Sequence, residues 1–127
     1  MIFLGCIALW PALTRGDGSL DLVALDIMRP AATEQGLKSP VVMDASPYFT
    51  TLCRGNESEC IAAVDGDGLN DRWPLFYDNY FVPRGYVHVI PDVRGVGRSE
   101  GLFTPELAQD GHDLVQWIGQ QEWCNGN

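Results

Sequence analysis

The run from Tyr86 to Gly101 limits the possible folds more than any other part of this chain. It opens with Tyr-Val-His-Val-Ile-Pro, a stretch rich in β-branched and aromatic residues that reads as a strand. It passes directly into Asp-Val-Arg-Gly-Val-Gly-Arg-Ser-Glu-Gly, where Gly95, Gly97 and Gly101 imply tight turns at the end of that strand. A second strand is predicted at Pro40–Ala45, whose unbroken Val41-Val42-Met43 has the apolar character of a strand covered on both faces, a candidate central strand. Between the two, Leu75, Phe76, Tyr80 and Phe81 recur at helical offsets across 74–82. Pro74 suits the first turn of that helix, and Pro83 with Gly85 supplies its stop. After the glycine turn, Leu107, Gly111, Leu114, Val115 and Ile118 form the stripe of an amphipathic helix, with Thr104 as N-cap before Pro105.

Strand, helix, strand, helix with apolar strands is the order of an α/β protein with parallel pairing. Ahead of it, Leu20–Met28 reads as an opening strand with Leu20, Leu22 and Ala24 on one face, ended by Arg29-Pro30. The stretch from Ser46 to Asp71 is rich in Gly, Asp, Asn and Ser and too long for an ordinary connection, so an excursion loop is expected there. There are no internal repeats, and the 127 residues suffice for one domain. A turn-forming Asn125-Gly126-Asn127 after a helix normally introduces another element, so the sheet is expected to be unfinished.

Composition removes several function classes. Seventeen acidic residues against eight basic ones give a net charge of -9, which repels phosphate backbones and anionic lipid heads, so neither nucleic acid nor a membrane is an expected partner. Cys6, Cys53, Cys60 and Cys124 lack a CxxC spacing, and two histidines do not complete a zinc set around them. Cys53 and Cys60 share one polar loop, and their pairing depends on a redox compartment that the sequence leaves open. The apolar Met1–Leu13 resembles a signal-peptide core but has no basic residue before it and no clear cleavage site, and it is too short to span a bilayer; a first strand or an arbitrary start of a truncated chain is the simpler reading.

Four segments in fixed order carry a resemblance: Met43-Asp44-Ala45-Ser46-Pro47-Tyr48, Arg54–Glu59, Trp73–Tyr86 and Asp92–Gly101. Together they resemble the start of the Xaa-Pro dipeptidyl-peptidase and cocaine-esterase group of serine hydrolases, over about Asp17 to the last residue. The resemblance implies an incomplete α/β-hydrolase fold. Its antiparallel opening strands and first parallel strands would be present, and the chain, 1–127, would form the N-terminal part of one domain. Gln120–Gly126 resembles the segment that precedes the nucleophile elbow in this group, so the elbow serine and its Asp and His partners are expected to lie beyond the chain. The edge of the Val41–Ala45 strand is then expected to stand bare.

The same resemblance implies that Tyr48 gives its hydroxyl to the oxyanion hole, where a preorganised donor stabilises the charge that develops in acyl transfer. Ser46, Ser99, His88 and His112 are read as structural, because no serine is expected in a Gly-x-Ser-x-Gly turn and no histidine follows an acidic partner in the family's order. The Asp92–Gly101 turn is likewise read as structural, at the sheet edge where ligands gather in open α/β sheets. Asp65, Asp67 and Asp71 stand at positions 1, 3 and 7 of a glycine-rich loop and form a candidate calcium set. That set lacks the position-5 and position-12 ligands of an EF-hand, and Asp17 to Asp21 is a thinner version of it. Arg15-Gly16-Asp17 matches an adhesion tripeptide but suits a turn equally, and Asn56-Glu57-Ser58 matters as a glycosylation acceptor only in a secretory pathway. Two function classes follow. The first is a serine hydrolase for peptide or ester substrates that needs no cofactor; the second is a non-catalytic binding module with calcium at 65–71.

Overall fold

The computed structural model describes residues 12–14, 17–47, 77–103 and 107–127. Strand β1 (Ala12–Thr14) pairs antiparallel with β2 (Leu20–Leu22) as a separate two-stranded ribbon. The main sheet has the order β3-β5-β4, from β3 (Leu25–Met28), β4 (Val41–Met43) and β5 (Val87–Pro91). β5 runs antiparallel to β3 and parallel to β4. The connection from β4 to β5 carries the short helix α1 (Asp78–Phe81) and a 3-10 turn at Val82–Arg84. Helix α2 (Leu107–Gly119) follows β5.

The register explains the core. Leu25 faces Pro91, Ile27 faces Val89, Val41 faces Val87 and Met43 faces Val89, so by the strand period these side chains share one face. Leu114 and Ile118 of α2 pack on that face together with Trp123. Val87 and Val89 are fully buried, and each such side chain contributes roughly 1.5–3 kcal/mol of burial. The opposite face carries Asp26, His88 and Ile90, all buried as well.

Several expectations are corrected. The predicted Leu20–Met28 strand is broken at Val23 and Ala24, both fully buried, into β2 and β3. Leu20 and Leu22 are exposed and Asp21 is buried, the reverse of the predicted face, because the Asp21 carboxylate meets an arginine from the glycine turn. In α1, Asp78 is buried and Tyr80 exposed, and Pro83 lies within the 3-10 turn rather than beyond the helix. In α2, Val115 is exposed and Asp110 takes an inward position. Thr104 and Pro105 lie outside the described residues.

The expected bare edge of β4 is filled at its start by the chain itself. Ser39 donates to Trp123 (2.8 Å), Asn125 donates to Ser39 (3.1 Å) and Val41 donates to Asn127 (2.8 Å), a parallel ladder on the side of β4 away from β5. β5 is thus central in the three-stranded sheet, and β4 receives hydrogen bonds on both sides.

Candidate functional site

β4 and β5 run parallel, so their C-terminal ends lie at one edge of the sheet. From β4 the chain continues through Ala45 to Pro47; from β5 it enters the turn Asp92–Gly101. That turn is closed by Val96 donating to Val93, Ser99 to Val96 and Gly95 to Glu100. Gly95 and Gly101 have φ of 74° and 86°, and each is also sterically required. A β-carbon at Gly95 would overlap the Leu102–Phe103 backbone, and one at Gly101 would overlap the Asp21 carboxylate.

Two arginines staple the turn to its surroundings. The Arg94 fork takes both oxygens of Asp110 on α2, Nε to Oδ2 at 2.9 Å and Nη2 to Oδ1 at 2.7 Å, while Nη1 donates to Asp21 of β2 at 2.5 Å. The Asp110 hydrogen bonds outweigh burial and hold the guanidinium above its ordinary pKa. Arg98 donates through Nε to Asp92 (3.0 Å) and through Nη2 to Asp26 of β3 (2.9 Å). Burial opposes its charge, but the bonds to Asp92 and the charge of Asp26 more than offset it, so its pKa is also raised. Glu100 completes the set by accepting from the Leu22 amide and donating its own amide to the Leu22 carbonyl.

Gly97–Gly101 does spell Gly-x-Ser-x-Gly, which corrects the expectation that no serine sits in that pattern. The geometry does not make Ser99 a nucleophile. Its hydroxyl donates to the Asp92 carbonyl and accepts from the Ala24 amide at 2.9 Å. His88 is bonded to Asp78, and His112 is exposed beside Asp113, so neither serves Ser99 as a base. Ser99→Ala should therefore act on stability: the buried Ala24 amide loses its acceptor, at a cost of about 1–3 kcal/mol. Urea unfolding checks this, and an unchanged midpoint would contradict it.

The sequence reading missed the buried pair of His88 Nδ1 and Asp78 Oδ1, 2.5 Å apart with both side chains fully inaccessible. Burial pushes Asp78 above the usual carboxylate range, against the opposing hydrogen bond and charge of His88, and Asp26 adds in the same direction. The unfolded chain thus releases this proton first. The stability linked to Asp78 is complete below 3.8 and is lost as pH rises through the higher folded value. Asp78→Asn keeps an acceptor for His88 and removes the charge, so its stability relative to the parent should improve with rising pH over that window. Urea midpoints measured across pH read this directly; a difference independent of pH would count against it.

Tyr48 follows Pro47 directly, and both Tyr48 and the calcium candidates Asp65, Asp67 and Asp71 lie outside the described residues. The thinner acidic set is accounted for otherwise: Asp17 accepts from the amide and hydroxyl of Ser19, and Asp21 is bound to Arg94. Among the described residues, no three His, Cys, Asp or Glu side chains gather as a metal site, and no helix is long and apolar enough to cross a membrane. Between Pro47, Val93 and α2 lies a cavity of about 130 Å³ with predominantly apolar walls.

Comparison with known proteins fits this architecture. Residues 17–127 match the X-Pro dipeptidyl-peptidase (S15) family. A putative Xaa-Pro dipeptidyl-peptidase from Streptomyces avermitilis is 54% identical over 112 residues, which are 87% of this chain and 16% of that protein. The cocaine esterase of a Rhodococcus species is 47% identical over 49 residues, 37% of this chain and 8% of the enzyme. A CocE/NonD family hydrolase from Staphylococcus aureus superposes with a TM-score of 0.61 at 25% identity, covering 92% of this chain and 21% of its own. With its antiparallel opening, its parallel pair and its stapled turn after β5, this chain belongs to the X-Pro dipeptidyl-peptidase (S15) family of hydrolases and has part of the α/β-hydrolase fold.

Proposed function

We propose that this chain forms one wall of the active site of a serine hydrolase that cleaves peptide or ester bonds through an acyl-enzyme, and that Tyr48 is its oxyanion donor. The observation that carries the reading is the position of Pro47. It lies in the segment leaving β4 at the C-terminal edge of the parallel pair and lines one cavity with Val93 and Arg94 of the stapled turn, and Tyr48 is the next residue. In the reaction, a serine hydroxyl adds to the substrate carbonyl while a base takes its proton, and the carbonyl oxygen becomes an oxyanion. The tetrahedral adduct then collapses, and the departing amine or alcohol takes up the proton. Water repeats the sequence on the acyl-enzyme to release the acid and free the serine. A phenolic hydroxyl aimed at the oxyanion strengthens its hydrogen bond as charge develops, so it favours the transition state over the bound substrate.

In this reading the nucleophile and base are none of Ser46, Ser99, His88 and His112, and the 127 residues by themselves are inactive. No cofactor enters the chemistry. Substrates are peptides from whose N-terminus a dipeptide ending in proline is released, or small esters. A kinetic comparison of glycyl-prolyl-4-nitroanilide with 4-nitrophenyl acetate, using the protein as its gene encodes it, tests the proposal and separates the two substrate classes. Turnover of either supports the hydrolase; turnover of neither sinks it.

A further inference from the structure

Three residues at α1 close on the imidazole of His88 in β5. Asp78 Oδ1 lies 2.5 Å from Nδ1, the Tyr77 ring stands edge-on at 6.4 Å between centroids, and the Phe81 ring is tilted at 6.0 Å. Asp78 and His88 are fully buried, and among the described residues neither Asp78 Oδ2 nor His88 Nε2 has a hydrogen-bond partner. β3 brings Asp26 to this face, diagonal to His88 across the register, and the stapled turn brings Arg98, which is bonded to both Asp26 and Asp92. β4 sets Val42 opposite His88, with Asp44 just beyond its end. Arg84 is bonded to the Tyr80 carbonyl and stacks on that ring, and α2 packs on the other face of the sheet.

A hydrogen bond between Asp78 and His88 can form in three protonation states, and burial separates them. An imidazolium against a carboxylate buries two charges, each with an unmet polar atom. A carboxylate accepting from a neutral imidazole buries a charged oxygen that has no donor, and Arg98 cannot supply one because Asp26 and Asp92 already share it. A carboxylic acid donating to Nδ1 leaves only neutral groups unmet, which is the smallest of the three costs. The upward shift of Asp78 with burial agrees.

We propose that Asp78 is a neutral carboxylic acid at neutral pH, that it donates to Nδ1 and so keeps the imidazole hydrogen on Nε2, and that this one proton seats α1 on β5. The inference makes no use of the hydrolase reading. When the proton leaves, a carboxylate faces the Nδ1 lone pair beside Asp26, and lifting α1 lets water reach the charge. In the lifted state Asp78 returns to its ordinary 3.8, so opening becomes easier as pH rises from there to the higher folded value, and levels off above it.

Neutron diffraction from deuterium-exchanged crystals of the protein as encoded, at about pH 7, tests the proton's place. Deuterium should lie on the Asp78 carboxyl and on His88 Nε2; deuterium on Nδ1, in a neutral or a charged ring, overturns the proposal. Hydrogen exchange tests the seat, through the amides of Val82, Gly85 and Tyr86, which bond to the carbonyls of Asp78, Val82 and Phe81. After correction for intrinsic exchange, their opening should rise by up to about tenfold per pH unit between about pH 5 and about pH 7. Asp78→Asn, whose amide N–H makes the same donation and cannot ionise, should abolish that rise. An equal rise in the variant, an equal rise across α2, or no rise in the parent overturns the seat. If the variant fails to fold, the neutron map and the parent's own pH dependence still decide.

Discussion

Arg94→Leu is expected to destabilise the protein by about 3–5 kcal/mol, because it leaves the buried carboxylates of Asp21 and Asp110 without the guanidinium that compensates them. Asp21 is 1% exposed and Asp110 6%, so water cannot take over that role without opening the structure. A loss of this size is a large fraction of the stability of an ordinary domain. Arg94→Lys should recover only part of it, since an ammonium cannot engage both oxygens of Asp110 and Asp21 in one planar fork. Replacing all three residues by apolar ones of similar volume should recover most of the loss, because the penalty belongs to the unpaired carboxylates rather than to the absence of an ion pair. Chemical denaturation of the four proteins checks the pattern. A loss below about 1 kcal/mol for Arg94→Leu, the range of exposed pairs, would show that the cluster is not holding β2, the turn and α2 together.

Tyr48→Phe is expected to lower kcat by about 10²–10³ in the protein as encoded, with KM little changed. The substitution removes one hydroxyl and keeps the ring, so folding should survive. If the hydroxyl donates to the developing oxyanion, its loss falls on the transition state and substrate binding barely registers it. Steady-state kinetics on the best substrate separates this from packing. A kcat within a few-fold of the parent would end the assignment of Tyr48.

The α/β class and element order were legible because they rest on apolar runs and turn residues, which are local signals: Val41-Val42-Met43, Val87–Pro91 and the glycines after them all lie where the sequence placed them. The structural reading of Asp92–Gly101 also agrees with the geometry, down to the hydroxyl of Ser99. What escaped was the set of buried carboxylates. Nothing in the local pattern marks Asp21, Asp26, Asp78 or Asp110 as buried, and each is buried where a cationic or imidazole partner from another element meets it. Asp110 sits four residues before Leu114, on the inward stripe, and that spacing was the one available hint. The inverted face of β2 has the same origin, because Arg94 decides it rather than the alternation of Leu20 and Leu22.

The central proposal is that residues 1–127 build the wall of a serine hydrolase site without supplying its nucleophile. Reacting the protein as its gene encodes it with a fluorophosphonate, followed by peptide mapping, tests this most directly. The account predicts no modification at any serine of residues 1–127, with Ser99 held between Asp92 and Ala24 and unlabelled. Stoichiometric modification of Ser99 or Ser46, abolished by changing that serine to alanine, would contradict it.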